Sequence, residues 1–287
     1  CLILRHRSPE VFRDVLARLP GGTASARRPA LPLHTAPFDR GLYVATELLG
    51  DAAFALFREG IVDRGAGAGD DACLHAGFFI GSHSLYDALQ DLPEARRRKI
   101  SMRAISFVNS LYGDEATKRR QRLSATFVNE VMMITLLGAA IADGLEDGRV
   151  VSGVGGQFDF VRMAHALDDS HSVLMFGSHR RLHGKLQSNV LWNYGHTTVP
   201  RHYRDVFASE YGLAATRGCC DQDVIAALLN IADARFQPSL LEAARSAGKI
   251  APDYTLTEEA LNNTPAAIAD VLRDPAVARH FPPMCLH

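Results

Sequence analysis

The sequence predicts an α/β protein in which helices flank an open, mixed sheet. Short apolar runs typical of buried strands alternate with segments whose apolar residues repeat at helical spacing. The clearest interior strands are predicted at 131–142 and 172–176, and helices dominate the last third of the chain. Such alternation favours parallel or mixed strands that are covered by helices on both faces.

Local signals place the elements in order. Ser8-Pro9-Glu10 combines a capping serine, a first-turn proline and an acid, so a helix is predicted to begin there. Residues 23–37, rich in Ala, Arg and Pro, follow as a linker or surface loop. The other predicted strands are 42–46, 105–108, 206–208 and 212–214, with a short apolar segment at 74–80 and a polar, exposed segment at 114–122. The other predicted helices are 51–59, 84–89, 221–231, 238–247 and 265–272, with a charged helix or loop through 94–99.

Composition excludes several classes of protein. The 287 residues carry a formal net charge of -1, so no overall basic field favours nucleic acid or an acidic membrane surface. No apolar run reaches the roughly 18 residues that a membrane-spanning helix needs. The five cysteines lack the spacing of a disulfide framework or a metal site, which favours a reducing cytoplasm and predicts no metal centre.

The segment Ser152–Phe160 is a glycine-dense turn between the apolar run 149–151, which is predicted to be a strand, and a helical pattern at 160–167. Gly153, Gly155 and Gly156 let the backbone approach a ligand closely, and their amides can point at an anion or an oxyanion. A dinucleotide loop is a weaker alternative, because the third glycine of G-x-G-x-x-G and the acid that should follow are missing. A tight structural turn also remains open.

Glu47 follows the predicted strand 42–46 and precedes Leu48-Leu49-Gly50. A carboxylate between apolar neighbours at a strand end is partly desolvated, which predicts a raised pKa and a better nucleophile or base when ionised. A helix cap or an ordinary salt bridge is the alternative.

Three further groups of residues carry weaker signals. A predicted basic loop contains His171, His179 and His183 with Arg180, Arg181 and Lys185. It lacks the fourth ligand of a zinc site, and Lys185 after Gly184 is its best candidate for a phosphate contact, although a solvated loop is the simpler reading. Glu210 and Tyr211 join two strands at a turn, which favours a structural pair. Asn109 and Tyr112, with Phe107 and Val108, line either a pocket or the core.

Taken in order, these residues resemble the C-terminal half of the acetyl-CoA hydrolase/CoA-transferase family, the class I CoA-transferases. Thr46-Glu47-Leu48 is similar to the family's T-E-M segment, and Gly155 to Phe160 matches its G-G-x-x-D-F signature. Ser209 to Ala214 resembles T-E-Y-G-I-A, with Arg217-Gly218 following. The three motifs run in family order from about Phe38 to Lys249.

The resemblance implies a fold of the NagB/RpiA/CoA-transferase type with a helical C-terminal tail. It also implies that Glu47 attacks an acyl-CoA and passes through an anhydride to a glutamyl-CoA thioester, which a small carboxylate or water then resolves. Gly156 would stabilise the oxyanion. Ser152, Gly153 and Gly155 would contact CoA, and Lys185 matches loosely a lysine that does so. CoA enters as a substrate, and no further cofactor is implied.

The chain also departs from the family pattern. Ala215-Thr216 stands where an acid or amide and a leucine are usual, and residues 1–40 contain no G-x-G loop of the kind that precedes the glutamate. We therefore predict the end of a preceding domain and a linker at 1–37, the catalytic domain at 38–250 and a tail at 251–287. A missing N-terminal domain would be required, and a homodimer is compatible with the family. A catalytically incomplete fragment that binds CoA or a partner is the rival hypothesis, and a nicotinamide-binding oxidoreductase is the third.

Overall fold

The computed structural model describes residues 41–67 and 69–278, which fall into two compact units. Among these residues, the first unit comprises 41–67, 69–125 and 159–170, and the second comprises 126–158 and 171–278. The predicted helix after Ser8 and the linker at 23–37 lie outside the described residues. The predicted domain boundaries at 38 and 250 stay predictions.

The first unit is built on a three-stranded parallel sheet of order β1-β2-β3. Its strands are β1 (Val44–Leu49), β2 (Leu74–Phe79) and β3 (Ile100–Met102), with Val44 opposite Leu74 and Leu74 opposite Ile100. The helices that begin in or belong to this unit are α1 (Asp51–Arg58), α2 (His83–Gln90), α3 (Glu94–Arg97), α4 (Ile105–Asn109) and α5 (Glu115–Gln121). Ser82 caps α2 by accepting from the Leu85 amide at 3.3 Å, as a serine at this position commonly does.

One face of this sheet packs on α1 and α2, and the other face supports α4. The buried core on the first face consists of Leu49, Phe54, Phe57, Val62, Cys73, Leu74, Ala76 and Leu85. Side chains alternate along a strand, so positions 75 and 77 lie on the face opposite to Leu74 and Ala76. Helix α4 packs on β1 and β2, and the absence of a side chain at Gly77 makes room for Ile105 of α4.

The second unit holds a mixed sheet of order β12-β11-β7-β4, in which only β12 runs antiparallel to its neighbour among these described strands. These strands are β4 (Thr126–Glu130), β7 (His171–Met175), β11 (Val206–Ser209) and β12 (Gly212–Ala215). Strands β5 (Met133–Thr135), β6 (Ala140–Ile141) and β10 (Val190–Leu191) form a second small sheet, and β8 (His179–Leu182) pairs with β9 (Lys185–Ser188). The remaining elements are α6 (Gln157–Ala166, residues 159–166 in the first unit), a 3-10 turn (Arg201–Tyr203), α7 (Asp221–Leu229), α8 (Gln237–Ser246), α9 (Glu258–Leu261), α10 (Pro265–Arg273) and α11 (Pro275–Ala278).

The predicted α/β class with open, mixed sheets and flanking helices is confirmed, but several predicted elements were wrong. Residues 105–108 form helix α4 instead of a strand. Residues 131–142 form two short antiparallel strands, because Gly138 adopts φ +86° in the turn between them. Residues 149–151 form no strand, and only Val150 makes an isolated bridge, to Gly144.

The segment 114–122 was also wrongly predicted as exposed throughout. It forms α5, whose Lys118 and Gln121 are buried, and the following Arg122 is buried as well. Within the described residues, no helix has both the length and the apolar composition needed to cross a membrane.

Candidate functional site

Glu47 lies inside strand β1 and not after it as the sequence suggested. Its side chain is half-buried, and the backbone around it is fixed by the parallel pairing of β1 with β2. The side chain of Thr46 is engaged locally, since its hydroxyl donates to the backbone oxygen of Leu48 at 2.9 Å. The candidate nucleophile is therefore held on a regular strand, which orients it more rigidly than a loop would.

The amide side chain of Asn109 contacts this carboxylate. Asn109 is the last residue of α4, it is 6% exposed, and its Nδ2 donates to Oε2 of Glu47 at 2.5 Å. The other amide atom, Oδ1, is buried with no hydrogen-bond partner. A short hydrogen bond of this kind fixes the direction in which the carboxylate points.

The buried residue His75 links β1 and β2 on the same side of the sheet. Its Nδ1 lies 2.7 Å from the hydroxyl of Tyr43, and its Nε2 lies 3.1 Å from Oδ2 of Asp70, which also accepts from Arg103 at 2.9 Å. Burial lowers the pKa of His75 against the opposing effect of Asp70. Burial also raises the pKa of Tyr43 to about 12, so this hydroxyl stays neutral at ordinary pH.

The predicted pocket around Asn109 exists in part. Asn109 and Tyr112 border a cavity of about 170 Å³ between α5 and the 159–166 part of α6, within the first unit. Phe107 and Val108 are not among its walls, since Val108 is fully buried and the Phe107 ring packs edge-on against His75.

The glycine turn of the second unit has the expected backbone form. Gly155 adopts φ +55°, Gly156 is buried, and α6 begins directly after them. Ser152, Gly153 and Gly155 are exposed, and the Ser152 hydroxyl donates to the backbone oxygen of Gly153 at 3.2 Å. The amides at the start of α6 lack helical partners, as at any helix N-terminus, so this turn could bind an anion or an oxyanion.

Asp143 holds the beginning of this turn in place. Its backbone oxygen accepts from the amides of Val151 at 2.7 Å and Ser152 at 3.3 Å. Its carboxylate accepts from the hydroxyl of Thr198 and from Nε2 of His196, the latter at 2.9 Å. These hydrogen bonds lower the pKa of the Asp143 carboxyl.

The predicted basic loop is a β-hairpin. His179, Arg180 and Arg181 belong to β8, Lys185 begins β9, and His183-Gly184 form the tight turn with positive φ at both residues. His171 begins β7 and does not belong to this hairpin. Lys185 is exposed at the tip of the hairpin, and whether it contacts CoA stays a prediction.

The turn between β11 and β12 carries a polar cluster around the buried Tyr211 and Asp233. Tyr211 is 1% exposed and donates to Asp233 at 2.8 Å, while Glu210 accepts from the hydroxyl of Ser178 at 2.6 Å. His179 lies 3.3 Å from Asp233 and 3.4 Å from Glu210, and Arg235 also pairs with Asp233. Burial and the neighbouring Asp233 raise the pKa of Tyr211. These contacts agree with the structural role expected for the Glu210–Tyr211 pair.

In the part of the chain that the structure describes, no group of three or more His, Cys, Asp or Glu side chains is arranged to hold a metal ion. The carboxylates near His179 are occupied by Arg235, Tyr211 and Ser178.

Comparison with known families assigns the class of protein. The model of the family described as "Acetyl-CoA hydrolase/transferase C-terminal domain" matches residues 81–244, more than half of the chain, and the chain belongs to this family. The matched segment contains Asn109, Gly156 and the Ser209–Ala214 motif, whereas Glu47 precedes it.

Individual relatives are CoA-transferases. The chain is 24% identical over 209 residues to the 4-hydroxybutyrate coenzyme A transferase of Clostridium kluyveri, covering 70% of this chain and 45% of that protein. It is 27% identical over 213 residues to the succinyl-CoA:cyclohexane-1-carboxylate CoA transferase of Geobacter metallireducens, covering 74% and 46%. The chain therefore spans about half the length of the curated relatives it matches.

Solved structures share the fold. RipA from Yersinia pestis superposes with a TM-score of 0.61 at 24% identity, covering 74% of this chain and 46% of that one. The 4-hydroxybutyrate CoA-transferase from Porphyromonas gingivalis gives a TM-score of 0.53 at 22% identity, covering 72% and 46%. The CoA-transferase-like fold expected from the sequence is thus confirmed.

Sequence reasoning missed the residues that hold these groups in place. Asn109 is 62 residues from Glu47 in the chain, and it was expected only to line a pocket or the core. Asp143 and His196 gave no local signal, because their contact joins segments that lie 53 residues apart.

Proposed function

We propose that Glu47 is the nucleophile of an acyl-CoA:carboxylate CoA-transferase or acyl-CoA hydrolase, and that the Gly156 amide is its oxyanion donor. Membership of the family supports the general class of reaction. The particular observation that carries the assignment is the hydrogen bond from the buried Asn109 amide to the Glu47 carboxylate. A carboxylate nucleophile must be aimed at the carbon that it attacks, and a donor held by a helix fixes its direction.

In the first step, an oxygen of the Glu47 carboxylate attacks the thioester carbon of the acyl-CoA. The C–S bond breaks, CoA leaves as the thiolate, and an acyl-glutamyl anhydride remains. The thiolate then attacks the glutamyl carbonyl and expels the acyl group as a free carboxylate, which leaves a glutamyl-CoA thioester. Covalent catalysis divides the exchange into easier steps.

The second half of the reaction decides between transfer and hydrolysis. A small acceptor carboxylate attacks the glutamyl-CoA thioester, and the same two steps in reverse give a new acyl-CoA. If water attacks instead, free CoA is released and the Glu47 carboxylate is restored. In each tetrahedral intermediate, a backbone amide donor such as Gly156 contributes roughly 3 kcal/mol of stabilisation.

Ser152, Gly153, Gly155 and Lys185 are proposed to contact CoA, which is a substrate, with no additional cofactor. The proposed partners are an acyl-CoA and a small carboxylate, and neither nucleic acid nor a membrane is among them. We also propose a cytoplasmic location, a homodimer as the candidate assembly and dependence on an N-terminal domain.

A catalytically incomplete domain that only binds CoA or a partner is the second candidate. One observation favours it, namely that the chain spans only 45–46% of the relatives named above. Turnover by the 287-residue chain alone would contradict this second candidate directly.

The test is a covalent adduct on Glu47. Trypsin cleaves after Arg40 and Arg58, and the peptide 41–58 contains Glu47 as its single glutamate. The full-length protein is incubated with acetyl-CoA, digested and analysed by mass spectrometry for CoA or a hydroxylamine-sensitive acyl group on this peptide. We expect the adduct in the wild-type protein and none in Glu47→Gln.

The matched control is Glu94→Gln, which changes an exposed glutamate whose visible partner is Arg98. This variant should form the adduct at the wild-type level. An unmodified 41–58 peptide in the wild-type protein, under conditions where acetyl-CoA is consumed, would show that Glu47 is not the nucleophile.

A further inference from the structure

Two buried cations lie on one side of α5 in the first unit. Lys118 and Arg122 are each 2% exposed. Among the described residues, their side chains make hydrogen bonds to backbone oxygens and, for Arg122, to the sulfur of Met163, and neither makes an ion pair with a carboxylate. Burying a charge is strongly unfavourable unless it is paired or hydrogen-bonded. Burial lowers the pKa of both groups. The hydrogen bonds that they make offset part of the cost of burying their charge.

Both cations donate to backbone oxygens at the C-terminal end of α4. Lys118 Nζ donates to the oxygens of Ser110 at 2.9 Å and Tyr112 at 2.6 Å, and it lies 5.0 Å from the centre of the Phe107 ring. Arg122 Nη2 donates to the oxygen of Phe107 at 2.8 Å. The last carbonyls of a helix have no partner within it, and cations at this end are favourable.

Asn109 lies between the backbone oxygens that these cations hold. Arg122 holds the backbone oxygen of Phe107, two residues before Asn109. Lys118 holds the backbone oxygens of Ser110 and Tyr112, one and three residues after it. The five-residue helix α4 is too short to hold its own last turn rigidly. Lys118 and Arg122 therefore set the backbone position of Asn109. This position in turn determines where the side-chain amide that contacts Glu47 lies.

A second contact joins α5 to Tyr43, the residue that directly precedes strand β1. The Tyr43 hydroxyl lies 3.4 Å from Oε1 of Gln121, and Tyr43 is four residues before Glu47 on the β1 side. Side chains of α5 thus contact both the segment that contains Asn109 and the residue at the start of the strand that carries Glu47.

We infer that Lys118 and Arg122 are positioning residues for Glu47, and that they act through the end of α4 and the Asn109 amide. The inference rests on the proposed function of Glu47 for its effect on activity. The contacts themselves do not depend on that function.

The experiment is a double-mutant cycle on the full-length protein, measured by the rate at which acetyl-CoA modifies the 41–58 peptide. Lys118→Met keeps the length of the side chain but removes its donors, and we expect the rate to fall about tenfold, as for the loss of a single hydrogen bond to a charged group. Since Lys118 acts through Asn109, Lys118→Met should change the rate of an Asn109→Ala protein by less than about twofold. The half-saturating acetyl-CoA concentration should stay constant.

Arg120→Met is the matched control, because Arg120 is exposed on the same helix and bonds only to Thr117 in the described contacts. It should react at the wild-type rate. If Lys118→Met reacts like the wild type, or lowers the rate equally with and without Asn109, the inference is overturned.

Amide hydrogen exchange provides a second measurement, which does not depend on activity and which distinguishes a local change from unfolding of the whole protein. Amide hydrogen exchange over residues 105–112 should be faster in Lys118→Met and in the milder Lys118→Gln, and unchanged in Arg120→Met. Unchanged exchange in both Lys118 variants would refute positioning. If the wild-type protein forms no adduct while this exchange pattern appears, the proposed function fails and the positioning role stands.

Discussion

A Cβ atom at Gly77 would lie 2.9 Å from the backbone oxygen of Glu47, closer than real side chains approach a backbone atom. The same atom would collide with Ile105 of α4. We therefore expect Gly77→Ala to destabilise the protein by about 1–3 kcal/mol, the usual cost of overpacking. It should also slow adduct formation on Glu47, because β1 or α4 must move.

Urea unfolding and the 41–58 adduct measure the two effects. Gly65→Ala is the control, since a Cβ there would meet its neighbours at an ordinary 3.5 Å. Equal stability of Gly77→Ala and Gly65→Ala would contradict the packing argument.

The buried His75 predicts a pH dependence of stability. Its folded pKa is lowered by burial first and also by Arg103 and Arg122, against the opposing effect of Asp70, while Tyr43 occupies its other nitrogen. The unfolded chain thus binds a proton more readily, starting near the ordinary pKa of about 6.5. The contribution of neutral His75 to the free energy of unfolding is fully present above that pH. This contribution is lost as the pH falls through the folded pKa.

We expect the free energy of unfolding in urea to decline from pH 6.5 to pH 5 in the wild type, and to decline less steeply in His75→Gln. His202→Gln, at an exposed position, should keep the wild-type slope. Identical slopes in all three proteins would assign the decline to other groups.

The hydrogen bond from Tyr211 to Asp233 predicts a measurable contribution to stability. The bond is 2.8 Å long, buried and made to a charged acceptor, so Tyr211→Phe should cost about 1.5–3 kcal/mol in the free energy of unfolding. Tyr112→Phe, at a side chain 73% exposed, should change it by less than about 0.5 kcal/mol. If the two variants unfold at the same urea concentration, Arg235 alone satisfies Asp233.

Gly144 allows His196 to approach Asp143. A Cβ at position 144 would lie 2.6 Å from the imidazole ring, so Gly144→Ala must displace the ring that holds the Asp143 carboxylate. We expect faster amide hydrogen exchange at Val151 and Ser152, whose amides donate to Asp143. Gly177→Ala, with one ordinary contact at 3.6 Å, is the control and should leave this exchange unchanged. If the amides of Val151 and Ser152 exchange at the wild-type rate in both variants, the turn is held by other contacts.

The parts of the fold that the sequence predicts well are those with strong local signals. Strands β7 and β11 are short apolar runs, and α10 begins with Thr264-Pro265, a cap followed by a first-turn proline. Strand β1 was also predicted, although its end was placed before Glu47. These elements depend on neighbours in sequence, so the sequence alone suffices.

Elements that depend on distant residues were mispredicted. An apolar run as short as 105–108 suits a strand or a helix equally. It becomes helix α4 because Gly77 leaves room for it and Arg122 and Lys118 satisfy its end. Lys118 and Arg122 themselves lie in a sequence so polar that exposure was expected, and only the tertiary contacts reveal their burial.

The candidate site shows the same division. The glycine turn and Glu47 could be named from sequence, because glycine density and a family-like motif are local features. The partners Asn109, Asp143 and His196 could not be assigned, since the contacts of Asn109 with Glu47 and of His196 with Asp143 each span more than 50 residues of chain. The spatial relationship of Glu47 to Gly156 stays a prediction.

The enclosure of Lys118 has a chemical consequence beyond geometry. Lysine amines attack activated acyl groups that they can reach. An exposed amine of this kind beside an anhydride or thioester would become permanently acylated. Two carbonyl oxygens, an aromatic ring and 2% exposure instead keep the nitrogen out of reach. The protein can thus use a lysine to hold the end of α4 without losing that lysine to acylation.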